Sequence, residues 1–361
     1  MNVTVKTDEL KNAVSATGKV MPNPAVKGVL VRIKEGLTFV TTNLEQAVEY
    51  SVNAGNDVKD EVELLFPFDT FRDIVSKIKD ETIDIEIFDK HVVLKDRNGN
   101  FSLNTMSPDT FPLIPDVDST INLSFKFKEL KELVESTIFA VARKEESRRE
   151  FKGVYLDIKE DYINFVGTDA TALALSRVEN TWLPQTSLII PWKTLDILTH
   201  LPYEDEQVDI AVSESNIQFK LPNLKITSVL INGQFPDYTT IIPNETEFYA
   251  KVSKDALMDA LDIIGVFAKK GTGRIIFTFT PSKVVVESAS SDIGSGKKEI
   301  TCETNANMFL HFYAEKIIEG IEHIQGDMVY FGIQDVLKPV LIKGNENENY
   351  IYIIMPQKPI V

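Results

Sequence analysis

The chain has a single cysteine, Cys302, in 361 residues. No disulfide can form within it, which fits a reducing cytoplasm. No apolar run approaches the length needed to cross a bilayer. The opening, Met1-Asn-Val-Thr-Val-Lys6, lacks the apolar stretch of a signal peptide and passes straight into a strand pattern. A cytoplasmic location is expected. Histidine is scarce, and His91, His200, His311 and His323 show no metal-ligand spacing. Neither a metal nor another cofactor is expected. Cys302 has no evident base partner and reads as a structural thiol. Gly294-Ser-Gly-Lys-Lys298 has the look of the end of a phosphate-binding loop. It lacks the first glycine, and Lys298 stands where a Ser or Thr should hold magnesium. Positive charge is in deficit: the formal net charge is −16, which taken alone argues against a polyanionic partner. These absences leave little basis for an enzyme.

What is present is repetition in an ordinary globular composition, 43% hydrophobic and 25% charged. Three segments open alike: Asn2-Val-Thr-Val-Lys-Thr-Asp-Glu-Leu10, Asn122-Leu-Ser-Phe-Lys-Phe-Lys-Glu-Leu130 and Glu247-Phe-Tyr-Ala-Lys-Val-Ser-Lys-Asp-Ala-Leu257. Each reads as an alternating strand, a polar cap and a helix. A second marker follows each: Gly28-Val-Leu-Val-Arg-Ile-Lys-Glu35, Gly153-Val-Tyr-Leu-Asp-Ile-Lys-Glu160 and Gly273-Arg-Ile-Ile-Phe-Thr-Phe-Thr280. A period of roughly 120 residues means repeated domains, not a solenoid of small units. The expected domains are 1–120, 121–245 and 246–361. Triplicating a domain builds symmetry, which a single catalytic site would not require.

Each domain divides again into two similar halves. In the first, a strand at 2–7 leads into a helix near 8–20, then strands near 28–35, 37–43 and 46–53. The pattern restarts at Glu61-Val-Glu-Leu-Leu-Phe66 with a helix from Pro67 to Ile78, followed by strands at Ile83–Phe88, His91–Lys95 and Asn100–Met106. Asp96-Arg-Asn-Gly99 reads as a hairpin turn, since Asn-Gly accepts positive φ. The matching second-half helices are expected at Pro191-Trp-Lys-Thr-Leu-Asp-Ile-Leu198 and Phe312-Tyr-Ala-Glu-Lys-Ile-Ile-Glu319, with Phe71, Leu195 and Ile317 in equivalent places. Strand runs interrupted by single helices imply an α+β fold of antiparallel sheets with helices on one face. The closers Thr110-Phe-Pro-Leu-Ile-Pro115 and Phe235-Pro-Asp-Tyr-Thr-Thr-Ile-Ile-Pro243 end the first two domains.

Four further segments carry a resemblance: Thr42-Asn-Leu-Glu45, Gly167-Thr-Asp-Ala-Thr-Ala-Leu-Ala174, Gly233-Gln-Phe-Pro-Asp-Tyr238 with Ile242-Pro243, and Tyr352-Ile-Ile-Met-Pro356. In this order, on a triple repeat of this period, the chain resembles the bacterial sliding clamp family, the β subunit of DNA polymerase III, over its whole length. The resemblance implies three clamp-fold domains per chain and a head-to-tail homodimer that closes a ring of six. Sheets would lie outside and helices would line the hole. Such a ring encircles duplex DNA without reading its sequence and tethers the replicative polymerase, raising its effective concentration at the primer end.

The resemblance also implies sites. Arg148 and Arg149, in Arg143-Lys-Glu-Glu-Ser-Arg-Arg149, match DNA-facing positions, and Glu150 stands where relatives often carry an aromatic residue. Lys193 and the pair Lys11 and Lys19, two turns apart on the first helix, are further DNA-binding candidates. By charge pattern alone these are solvated helix faces of mixed sign. A pocket between the second and third domains takes short Gln-, Leu- and Phe-containing peptides from polymerase, clamp loader and repair proteins. Its wall here would be Phe151, Thr168, Ala170, Thr171, Ala172, Leu173, Pro236, Ile241, Ile353, Met355 and Pro356. By residue type alone, most of these could be plain core. Relatives typically read Thr-Asp-Gly-His-Arg-Leu-Ala where this chain has Thr168-Asp-Ala-Thr-Ala-Leu-Ala174, so the rim His and Arg are absent. The tail Pro359-Ile-Val361 runs past the pocket. The dimer contact would use Ile74, Ile78, Phe101 and Leu103 against Val266 and Phe267. The rival reading is a repeat-built scaffold that binds proteins but not DNA. An enzyme with its site between domains has little support.

Overall fold

The computed structural model describes residues 2–20, 28–54, 62–114, 116–180, 184–290, 292–345 and 349–358. Glu61, Pro115 and the tail Pro359–Val361 lie outside the described residues. Six helices are present among these: α1 (Thr7–Thr17), α2 (Phe68–Lys77), α3 (Phe127–Ile138), α4 (Trp192–Thr199), α5 (Lys254–Lys269) and α6 (Ala314–Glu322). Each follows a short strand and precedes a meander of three. The chain therefore repeats one strand–helix–three-strand half-repeat six times, two per domain-sized repeat.

The strands form four antiparallel sheets. An eight-stranded sheet runs Val62–Pro67, Gly28–Ile33, Leu37–Thr42, Gln46–Val52, Leu224–Val229, Asn216–Leu221, Gln207–Val212, Ile121–Lys126. A nine-stranded sheet runs Thr186–Pro191, Gly153–Ile158, Tyr162–Thr168, Ala172–Glu179, Tyr350–Ile354, Val340–Gly344, Met328–Ile333, Phe248–Ser253, Glu303–Thr304. Two four-stranded sheets run Asn2–Lys6, Thr82–Ile87, His91–Lys95, Asn100–Asn104 and Gly294–Thr301, Lys283–Ser290, Arg274–Thr280, Met308–Tyr313.

Two rules generate this order. The leading strand of each half-repeat pairs with the meander of its sister half, as Asn2–Lys6 does with Thr82–Ile87 and Val62–Pro67 with Gly28–Ile33. This exchange binds the two halves together. The closing strands of the odd-numbered half-repeats, the first and the third, each pair with the closing strand three half-repeats further on. Gln46–Val52 of the first joins Leu224–Val229 of the fourth, and Ala172–Glu179 of the third joins Tyr350–Ile354 of the sixth. The closing strands of the second and fifth, Asn100–Asn104 and Gly294–Thr301, are left at sheet edges.

Compactness divides the chain into two units, residues 1–130 with 196–230 and residues 131–195 with 231–361. The middle repeat contributes a sheet half to each. In the first unit, Phe68, Phe71 and Val75 of α2 recur at helical spacing and are buried with Phe39 and Phe66. In the second, α5 buries Leu257, Ala260, Leu261, Ile264 and Ala268, a continuous apolar stripe. The Ser253 side chain accepts from the Ala256 amide to cap it, at 3.4 Å. Phe71, Leu195 and Ile317 are all fully buried, as their equivalent spacing implied.

Several local expectations need correction. The first helix stops at Thr17, not 20: the Gly18 amide still reaches the Val14 carbonyl at 2.9 Å, but the Lys19 and Val20 amides bond only three residues back, to Ala16 and Thr17 at 3.2 and 3.3 Å, in a tightened final turn. Lys19 is therefore beyond the helix and does not share a helical face with Lys11. The last helix begins at Ala314, since Phe312 and Tyr313 complete the alternating strand Met308–Tyr313. Asp96–Gly99 does close a hairpin, with the Asp96 amide on the Gly99 carbonyl at 3.1 Å. Neither Asn98 nor Gly99 has positive φ. The Asp96 carboxylate holds the turn by accepting from the Asn98 amide at 3.0 Å, and a Cβ on Gly99 would lie 3.0 Å from the Phe101 ring. Glycine spares the Phe101 ring a shift of a few tenths of an ångström there. Gly294-Ser-Gly-Lys-Lys298 is an edge strand, not a loop. A Cβ on Gly296 would come within 2.7 Å of Phe267 on α5. Among the described residues, no helix is long and apolar enough to cross a membrane.

Candidate functional site: the junction of the second and third repeats

Both halves of this site belong to the second unit. Ala172–Glu179 pairs with Tyr350–Ile354 so that Leu173 faces Ile353 and Ala172 faces Ile354. The Met355 amide continues the ladder to the Thr171 carbonyl at 2.9 Å. Segments from opposite ends of this unit's sequence are thus joined by backbone hydrogen bonds. Phe151, Leu173 and Ile353 belong to one apolar cluster with Val166, Leu175, Ile189, Phe235 and Tyr238. Thr168, Ala172 and Pro356 are also buried. Pro236 and Met355 are half-buried, and Ala170, Thr171 and Ile241 are exposed. Of the eleven residues, six are therefore buried, two half-buried and three exposed.

The closer segment is fixed against this floor. Phe235 stacks on Tyr155 at 4.5 Å. The Tyr238 hydroxyl donates to Asp157 Oδ2 and accepts from Asn164 Nδ2, each at 2.7 Å. Asn164 Oδ1 in turn accepts from Arg177 Nε at 2.8 Å. Burial first, then the bond to Asp157, pushes the Tyr238 hydroxyl far above its ordinary value. It stays protonated and remains a donor. Tyr238→Phe should cost about 1–3 kcal/mol, because it strips partners from the buried Asp157 and Asn164. Urea denaturation should show a lowered midpoint; an unchanged one would mean these groups find other partners.

The rim is the turn between Tyr162–Thr168 and Ala172–Glu179, with Ala170 at φ 72°. Thr168 Oγ1 donates to the Ala172 carbonyl at 2.6 Å and accepts from the Ala170 amide at 3.1 Å. Asp169 Oδ1 accepts from the Thr171 and Ala172 amides at 2.9 and 3.1 Å. Its Oδ2 accepts from Lys316 Nζ of α6, which also donates to Thr171 Oγ1. Burial raises the Asp169 carboxyl, but the bonds from Lys316 and Thr171 outweigh that and hold it below the usual range. Asp169 serves both the turn and an ion pair. Lys316 had no signal in the sequence, lying 147 positions away. The role of Tyr238 was foreshadowed only by its place in the closer.

The other candidates are surface groups. Arg149 and Lys193 are exposed, and Lys11 is half-exposed. Arg148 lies 3.5 Å from Glu150 and over the Phe151 ring, 5.1 Å from its centre. Glu150, where relatives often carry an aromatic residue, thus offsets Arg148. Among the described residues, no helix carries more cations than carboxylates. Lys254 is spent on the carbonyls of Glu322 and Ile324, at 3.0 and 2.5 Å.

Of the candidate dimer residues, Ile78 and Leu103 are core, each about 5% exposed or less. Ile74 and Phe101 are only partly buried. Val266 is 52% exposed, and Phe267 lies over Gly296 of the edge strand. Cys302 is buried, and burial pushes its thiol up, away from a reactive thiolate. His91 stacks on Phe88 and His323 on Phe139. Among the described residues, no three metal-ligating side chains cluster.

Comparison with known proteins adds independent findings. Residues 1–115, 124–237 and 239–358 match the family models for the N-terminal, central and C-terminal domains of the DNA polymerase III beta subunit. A beta sliding clamp of Chlamydia muridarum is 23% identical, with 99% of each chain covered. The DNA polymerase III beta subunit of Thermotoga maritima superposes with a TM-score of 0.89 at 24% identity, covering 99% of this chain and 100% of that one. The DNA polymerase sliding clamp of Bacillus subtilis superposes with a TM-score of 0.91 at 22% identity, covering all of both. The fold is thus the three-domain clamp fold of antiparallel sheets with six helices.

Proposed function

The chain belongs to the DNA polymerase III beta subunit family, and from that premise we propose how it works as a DNA sliding clamp. It is a processivity factor, not an enzyme. It acts in the bacterial cytoplasm, and its domains are bounded near 1–120, 121–245 and 246–361. Two copies close head to tail around duplex DNA. The observation that carries this reading is the strand-pairing rule. First joins fourth, third joins sixth, and the fifth half-repeat must then find an eighth, which is the second half-repeat of another copy. The two closing strands left at edges, Asn100–Asn104 and Gly294–Thr301, are those the rule assigns to each other. Val266 and Phe267 lie beside one, and Phe101 lies within the other. An edge strand carries unpaired backbone donors and acceptors, so such pairing is favourable.

The helices would face the DNA. Their balance of carboxylates over cations supports weak contact, with Arg148, Arg149, Lys193, Lys11 and Lys19 supplying the scattered positive charge. Retention would then come from topology and not from a dense phosphate clamp. The second junction would bind Gln/Leu/Phe peptides of polymerase, clamp loader and repair proteins, with Ile241, Met355 and the Thr168–Ala172 turn around an apolar floor.

Loading onto nicked circular DNA tests this. The protein should stay on circles and leave once they are linearised, and retention should resist salt that strips an ordinary phosphate binder. Equal retention on circles and cut DNA would favour simple DNA binding. No retention on either would favour the protein-binding scaffold.

A further inference from the structure

We infer that the Lys316–Asp169 ion pair positions the rim of the peptide pocket and thereby sets its affinity. This rests on the reading of the second junction as a peptide pocket.

The molecule contains its own control. At the first junction, Gln46–Val52 pairs with Leu224–Val229 just as Ala172–Glu179 pairs with Tyr350–Ile354. The turn before it, Thr42–Gln46, copies the rim turn atom for atom. Thr42 Oγ1 donates to the Gln46 carbonyl at 2.8 Å and accepts from the Leu44 amide at 3.1 Å. Leu44 has φ 77°, against 72° for Ala170. The acceptor for the Glu45 and Gln46 amides is Asn43 Oδ1, at 3.0 and 2.7 Å. A neutral amide therefore suffices to build this turn. The charge at position 169 serves something else.

That something is α6. Asp169 divides its oxygens, Oδ1 for the turn and Oδ2 for Lys316. The Thr171 hydroxyl donates to Asp169 Oδ1 and accepts from Lys316, which locks its rotamer. The backbone carbonyl of Lys316 accepts from the Tyr352 hydroxyl at 2.9 Å. Tyr352 precedes Ile353, which faces Leu173 on the pocket floor. The circuit closes where the Met355 amide bonds back to Thr171. Rim turn, helix and C-terminal strand are therefore one hydrogen-bonded loop, with the ion pair as its only charged link. The Lys316 and Asp169 side chains are 28% and 25% exposed, so solvent screens the pair less than a surface bridge. Ala170 and Thr171, the exposed tip, are what an incoming peptide meets. A rim ordered beforehand removes part of the entropy cost of binding.

Calorimetry on the full-length chain, with a synthetic peptide bearing Gln followed by Leu and Phe, tests the inference. Asp169→Asn keeps the turn acceptor, as Asn43 does, and removes the charge. Lys316→Met removes the other. Each should weaken binding about tenfold, and the double variant no more than either single, because each breaks the same link. Lys316→Arg should restore most of the affinity. If the singles lower the unfolding temperature but leave peptide affinity at the wild-type value, the pair is merely structural and the inference fails. It also fails if the two losses add. Truncation after Ile354 separates the premise from the inference. Should the wild type not bind, or the truncated chain bind equally well, the pocket reading itself falls.

Discussion

Phe101→Glu combined with Val266→Glu should convert the proposed head-to-tail dimer into folded monomers and abolish retention on circular DNA. Phe101 sits on the edge strand Asn100–Asn104 with part of its ring uncovered. Val266 is exposed on α5, next to Phe267, which overlies the other edge strand. Two new carboxylates would each have to be desolvated without a partner as the strands met, which costs several kcal/mol per contact. A closed ring has two such contacts, so the loss is felt twice. Leu103 is left alone, because at 5% exposure a charge there would attack the fold. Sedimentation should give the monomer mass with an unchanged far-ultraviolet spectrum. A variant that remains dimeric and still holds circles would place ring closure on another surface.

Gly167→Ala should be the most destabilising single methyl added to the second unit. Gly167 lies in Tyr162–Thr168 where the strand passes the end of α3, and an added Cβ would fall 2.0 Å from the Thr137 carbonyl oxygen. Backbone cannot swing aside as a flexible side chain can, so helix and strand must separate. The cost should be about 3 kcal/mol or more, at the upper end for overpacking. Denaturant unfolding would measure it. A loss within about 0.5 kcal/mol, the range of an ordinary surface substitution, would mean that the helix end yields freely. Because Gly167 is joined to Thr168, the variant should also disturb the rim turn.

The residue string by itself determined the triple repeat, its halving, the positions of four helices to within a turn or so, and where the helices of the other two openings begin. Those signals are local. Alternation of period two and stripes of period 3.6 are written into neighbouring residues such as Phe68, Phe71 and Val75. The candidate pocket residues were offered by a resemblance carried by Thr168–Ala174 and Tyr352–Pro356, not by charge or spacing. Where local signals failed, packing had overruled them. Asn98-Gly99 promised positive φ, yet the Asp96 carboxylate closes the loop another way. Ile78 and Leu103 read as interface residues but are consumed by the core. Which strand edges meet was decided only by the tertiary structure, because backbone hydrogen bonds are blind to side-chain identity. The rule joining the closing strands of the first and third half-repeats to those three half-repeats further on is invisible in the sequence for that reason. The Lys316–Asp169 pair is invisible for another: an ion pair needs two charges near each other in space, and one lysine 147 positions from an aspartate leaves no spacing to read.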